Sequence, residues 1–189
     1  MEIIRPHSAP RAPRARLAIM MTALIVLAAG FGFSKTSAFQ WFWLKASLRT
    51  HFPRVQWITT QELADWLADK HRQQPILLDV RTVDEWSVSH IPGGQRIDPK
   101  ASAEQALPSV AKDAPVVTYC AVGYRSGEMA TRLGEAGFTN VRNLEGSIFQ
   151  WANEHRPLVR DGEPAKHAHP YHAFWGRLLD DDVRAPVEK

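Results

Sequence analysis

The chain has 189 residues, 44% of them hydrophobic and 23% charged, which leaves room for one domain of ordinary size with a real core and not for two. Its formal charge of +3 divides unevenly: residues 1–54 hold eight basic residues against one acidic, and the remainder holds 15 against 19. The part beyond residue 54 is therefore mildly acidic, which argues against nucleic-acid binding, since that needs a basic face on the domain.

A basic, Pro-rich leader over residues 1–16 precedes Leu17 to Phe33, a run without any charge. At about 1.5 Å per residue this run spans about 26 Å, against about 30 Å of bilayer hydrocarbon. Thr36, Ser37 and Ala38 make a mediocre cleavage site, and Phe39, Trp41, Phe42 and Trp43 follow as an aromatic belt at a membrane interface does. The reading is a retained transmembrane anchor over residues 17–33 and an aromatic interfacial linker over 34–54. A cleaved signal peptide and a soluble periplasmic product are the alternative, with an Arg-rich organellar transit peptide a third. Four arginines before the run, against Lys35, Lys45 and Arg49 after it, bias the leader slightly toward the cytoplasm and the domain toward the periplasmic side. The single cysteine suits an oxidising compartment, because no intramolecular disulfide can form.

Next in the chain, Thr59 or Thr60 is placed to cap a helix from about Gln61 to Lys70, with Glu62 in its first turn and Leu63, Trp66 and Leu67 on its apolar face. Ile76 to Val80 and Val116 to Tyr119 are continuous apolar runs, as expected of parallel strands covered on both faces. A second helix, Ser126 to Ala136, turns Met129, Ala130, Leu133 and Ala136 inward, and Gly137 is placed to end it in a left-handed cap.

Between the second strand and that helix lies Cys120, Ala121, Val122, Gly123, Tyr124, Arg125. A thiol at this position sits where the N–H groups of a Gly-containing turn converge and where a helix begins, so negative charge on its sulfur is stabilised. Reactive loops in such sheets lie at the carboxyl ends of strands. Gly123 supplies backbone freedom, and Arg125 supplies a permanent cation for binding an anion.

Ile76-Leu77-Leu78-Asp79-Val80-Arg81, then Asp84-Glu85-Trp86, then His90-Ile91-Pro92-Gly93-Gly94, the Cys120 loop, Gly137-Phe138, and Val141 with Asn143 to Trp151 follow one another in order. Together they closely resemble a rhodanese homology domain over roughly residues 55–157, with residues 158–189 as a C-terminal tail. No second Asp-Val-Arg or His-Ile-Pro-Gly run is present, so the resemblance is to the single-domain type. It implies an α/β fold with a central parallel sheet flanked by helices on both faces, and a sulfurtransferase working through Cys120, with the loop Ala121 to Arg125 binding the substrate. The six-residue loop matches the sulfurtransferases of the family; related thiol phosphatases use Cys-x5-Arg, whose wider ring holds a phosphate.

The resemblance further implies a small-molecule sulfur donor such as thiosulfate, an external thiol, thioredoxin-like protein or cyanide as acceptor, and no metal or organic cofactor. A non-catalytic, membrane-tethered interaction module and a thiol phosphatase or arsenate reductase are the competing readings. Asp79, Arg81, Glu85 and His90 read as structural residues near the site: Arg81 and Glu85 as a pair across a helical turn, Asp79 as a clamp on the strand end, His90 as part of its turn. Phe149 and Trp151 read as core. In the tail, His167, His169 and His172 form a metal-like spacing with no adjacent acid or thiol, so a solvated tail is preferred, and Tyr171, Phe174, Trp175, Leu178 and Leu179 form an apolar patch able to dock on the domain, a membrane or a partner.

Overall fold

The computed structural model describes residues 37–186. The chain divides into two compact units, residues 1–40 and 41–189; of the first, only residues 37–40 are described, and they are helical. The anchor expected over residues 17–33 lies outside the described residues. Among the described residues no helix is long and apolar enough to cross a membrane.

Helix α1 (Ser37–His51) leads to a five-stranded sheet whose strands are β1 (Gln56–Ile58), β2 (Ile76–Asp79), β3 (Gly94–Arg96), β4 (Val116–Tyr119) and β5 (Val141–Leu144). Their order is β1-β5-β4-β2-β3, and every pair is parallel. The connections carry helices α2 (Thr60–Ala68), α3 (Val83–Val88), α4 (Ala103–Ala106) and α5 (Tyr124–Glu135), and β5 is followed by α6 (Ser147–Asn153).

Successive strand residues face opposite sides of a sheet, and the two cores divide accordingly. Leu77, Val117 and Tyr119 pack with Leu63 and Trp66 of α2 and with Ile148, Phe149 and Trp151 of α6. Leu78, Val116 and Val141 pack with Ala103 and Ala106 of α4 and with Met129, Ala130 and Leu133 of α5. Both faces being covered explains why β2 and β4 read as unbroken apolar runs. Truncating a fully buried residue such as Leu133 to Ala leaves a cavity worth about 2–5 kcal/mol.

Local chemistry sets the element ends. Helices α2, α3 and α4 each begin with a reciprocal capping box, Thr59 with Glu62, Thr82 with Glu85 and Ser102 with Gln105, satisfying two otherwise orphan donors per helix. Helix α2 stops at Ala68, short of the expected Lys70, because Asp69 turns extended. Helix α5 starts at Tyr124, two residues earlier than the apolar pattern suggests, because Gly123 adopts φ 113° in the left-handed region at its N-cap. It ends as expected at Gly137, φ 90°: the N–H of Phe138 bonds Leu133 O (3.0 Å) and that of Gly137 bonds Gly134 O (3.0 Å), the Schellman arrangement.

Two segments outside the alternating βα pattern also join the core. From the expected linker, Leu48 and Phe52 are buried, and Phe52 packs so tightly on Gly127 that a Cβ there would lie 2.7 Å from its ring. From the tail, the hairpin β6 (Leu158–Arg160) and β7 (Glu163–Ala165) and a 3-10 turn (Trp175–Leu178) put Leu158, Ala168, Leu178, Leu179 and Val183 into the core on the α2 and α6 side. Of the tail's expected apolar patch, Leu178 and Leu179 thus dock on the domain, while Tyr171 and Phe174 stay exposed.

Candidate active site

Cys120 directly follows β4, and its loop is laced to its neighbours through the backbone. The Cys120 N–H donates to Ser147 Oγ (3.2 Å), and the carbonyls of Cys120 and Ala121 accept from Ile148 and Phe149 N–H (both 3.1 Å). On the other side Asn143 Nδ2 donates to Gly123 O (2.8 Å). The end of β5 and the residues after it therefore shape the Cys120 loop, which gives the Asn143 to Ser147 stretch a physical role.

The side chain of Cys120 turns into its own loop, where Sγ accepts from the Gly123 N–H at 3.1 Å. The residue is 2% exposed, so its sulfur is enclosed by its own loop. Ala121, Val122 and Gly123 are buried around it, and Tyr124 is exposed. The N–H groups of Tyr124, Arg125 and Ser126 open helix α5 and have no carbonyl of their own helix to bond. An N–H on the sulfur and the open end of a helix both favour negative charge at this point.

Arg125 is not a free cation. Its two terminal nitrogens each donate to one oxygen of Glu85 at 2.7 Å, and the ring of Tyr171 lies 4.5 Å from its guanidinium carbon. Burial works against its charge, yet the Glu85 hydrogen bonds and the nearby Cys120 outweigh that and hold the guanidinium above its ordinary pKa. Glu85 also closes the capping box of α3 through the Thr82 N–H and hydroxyl (3.1 Å each). Burial pushes its carboxyl up, but the hydrogen bonds and charge of Arg125 win, and its pKa lies below the usual carboxylate value.

Arg81 does not pair with the Glu85 carboxylate as its spacing suggests. It grips Asp79, with Arg81 Nη2 on Asp79 Oδ2 at 2.6 Å, and reaches the carbonyls of Glu85 (3.2 Å) and Ser89 (2.7 Å). Arg81 lies before α3 rather than on it, so helical spacing does not apply. His90 stacks flat on Trp86 with 3.5 Å between ring centroids, exchanges two backbone hydrogen bonds with Val159, and is held below its ordinary pKa by burial. His169 Nδ1 and His172 Nδ1 accept from the N–H groups two residues on, so these two histidines serve local turns. Among the described residues no group of three His, Cys, Asp or Glu side chains is arranged to hold a metal ion.

The model of the rhodanese-like domain matches residues 59–154, just over half of the chain. This chain belongs to the rhodanese-like domain family. It is 39% identical over 102 residues to the probable adenylyltransferase/sulfurtransferase MoeZ of Mycobacterium tuberculosis, a match covering 53% of this chain and 25% of MoeZ. The chain thus spans about a quarter of that relative's length. It is 32% identical over 105 residues to a sulfurtransferase of Allochromatium vinosum, covering 56% of this chain and 95% of that protein. The fold is also that of a thiosulfate sulfurtransferase from Pseudomonas aeruginosa, with a TM-score of 0.53 at 20% identity over 64% of this chain and 23% of that one. Tyr171, whose ring covers Arg125, and Leu48, whose Cδ1 leaves only 3.3 Å for a Cβ at Gly123, lie outside the matched residues and reach the loop only through the fold.

Proposed function

We propose that this rhodanese-like chain is a sulfurtransferase that takes a sulfane sulfur from a thiosulfate-type donor onto Cys120 and passes it to an external thiol, a thioredoxin-like protein or cyanide. The observation that carries this reading is a lone thiol at the end of β4 with the Gly123 N–H on its sulfur and Arg125 two residues further along.

Cys120 thiolate attacks the outer sulfur of thiosulfate. A bond forms between Cys120 Sγ and that sulfur while the sulfur–sulfur bond of the donor breaks, its electron pair leaving on sulfite. The loop N–H groups and Arg125 oppose the charge of the donor and of the departing dianion. The Cys120 persulfide then loses its outer sulfur to the acceptor, as thiocyanate when that is cyanide, and the thiolate returns. With a single cysteine in the chain, the acceptor comes from outside it. The apolar run over residues 17–33 would hold the domain at a membrane on its periplasmic side, which fractionation of the full chain tests.

Incubation with thiosulfate should add one sulfur atom to the Cys120 peptide by mass spectrometry, and Cys120→Ser should abolish both that mass and thiocyanate production. Thiocyanate production that persists in Cys120→Ser sinks the reading. So does a thiol that neither thiosulfate, mercaptopyruvate nor an alkylating agent modifies, and so does turnover of aryl phosphates with none of thiosulfate.

A further inference from the structure

The segment that follows the family region brings one side chain back to the Cys120 loop. Residues 167–172 are pinned at several points: Ser89 Oγ donates to His167 O at 2.7 Å, and fully buried Ala168 donates to Val183 O (2.8 Å) and accepts from Ala185 N–H (3.0 Å). Beyond them Gly176 packs against Pro170 so closely that a Cβ would lie 2.7 Å from it. Tyr171 stands between these anchors at φ 63°, a left-handed conformation that costs a bulky residue free energy and persists only where its surroundings hold it. It is 42% exposed, yet its ring lies over the guanidinium of Arg125, with the guanidinium carbon 4.5 Å from the ring centroid.

Arg125 is therefore fixed twice, along one edge by the two oxygens of Glu85 and on one face by an aromatic ring. A cation so held keeps one orientation, and the ring takes space at the rim of a loop whose thiol is already 2% exposed. We propose that Tyr171 is a specificity-determining residue for sulfur donors, favouring small dianions over bulkier monoanions at the Cys120 loop. This rests on the sulfur-transfer reading above. The ring acts through Arg125 by holding its charge where a compact dianion gains most, and through its own bulk by excluding an aryl group. Both donors deliver the same sulfur to Cys120: thiosulfate leaves as sulfite, and benzenethiosulfonate leaves as benzenesulfinate with the electron pair of the broken sulfur–sulfur bond.

The test compares kcat/KM for thiosulfate and for benzenethiosulfonate in the full chain and three variants. Tyr171→Asn removes the ring with a residue that tolerates the left-handed conformation. The thiosulfate preference should fall about threefold to fivefold, the loss of a partly exposed cation–π contact, with further loss from the opened rim. Tyr171→Phe keeps the ring and should retain the preference. Phe174→Ala, an exposed aromatic of the same segment, should change neither rate. Should Tyr171→Asn misfold by circular dichroism, Tyr171→Gly, which takes the left-handed conformation at no steric cost, carries the same expectation. An unchanged preference in the ring-less variant, or an equal fall in Tyr171→Phe or Phe174→Ala, overturns the role of Tyr171 while leaving sulfur transfer intact. A wild-type protein that forms no Cys120 persulfide with either donor overturns both.

Discussion

Two arginines near the carboxyl ends of neighbouring strands are each paired with an acid, and the two pairs do different work. Arg81 and Asp79 are both fully buried, and Arg81 spends its remaining donors on carbonyls of Glu85 and Ser89. That pair is scaffold: it ties the end of β2 to α3 and to the turn that follows. Arg125 and Glu85 are 18% and 1% exposed, so one side of that pair meets solvent beside the thiol. The first pair holds charge where nothing external reaches it, whereas the second holds charge at a place where a substrate arrives. Proximity to Cys120 and residual exposure distinguish them, since both are Arg–carboxylate contacts with comparable distances.

The sharpest way to break the comparison is Asp79→Asn, which leaves Arg81 charged and sealed without a counter-ion. An uncompensated buried charge of this kind costs about 3–5 kcal/mol, so the urea midpoint should fall steeply with little change in slope. In the fraction still folded, Cys120 should still take up sulfur from thiosulfate. A loss below about 1 kcal/mol contradicts the assignment of this pair to the scaffold.

Glu85→Gln should cost less, about 2 kcal/mol, because Arg125 is partly solvated, but it should cut the rate of persulfide formation by freeing Arg125 to move. The pH dependence separates it from Asp79→Asn. The folded pKa of Glu85 is lowered, so its contribution is fully present above the ordinary carboxylate value of about 4.3 and is lost as pH falls through the folded value. The stability gap between wild type and Glu85→Gln should accordingly be widest near neutrality and close in acid. A gap that stays constant from pH 7 to pH 3 removes the ionised Glu85 from the account.

Why the Arg81–Glu85 pairing fails while the place of the Cys120 loop between β4 and α5 agrees with the sequence follows from the range of the forces. Strands β2 and β4, the capping of α2 by Thr59 and the left-handed end of α5 at Gly137 are decided within a few residues, and they were legible. So was the Cys120 loop, where a thiol, a glycine and an arginine share six positions. Glu85 meets Arg125 across 40 residues, and Tyr171 meets Arg125 through a segment whose path depends on buried Ala168 and Leu179. No local spacing encodes either contact. The burial of Leu48 and Phe52 was hidden for a related reason: aromatic residues beside a long apolar run carry a membrane signal that masks a packing one.

The smallest effect belongs to a third pair that looks equally good on distance. Arg49 Nε lies 2.9 Å from Glu145 Oε1, but its side chain is 51% exposed, and Lys45 stands 3.8 Å from the other oxygen of Glu145. Water screens such a contact, and ordering a long side chain offsets most of its attraction, so Arg49→Ala should change stability by at most about 0.5 kcal/mol. That difference should vanish in 1 M salt, where charges are screened beyond about 3 Å, and the rate of persulfide formation should stay at the wild-type level. A loss of 2 kcal/mol here would mean that distance rather than burial ranks these pairs, and the division between scaffold and site drawn from Arg81 and Arg125 would fail with it.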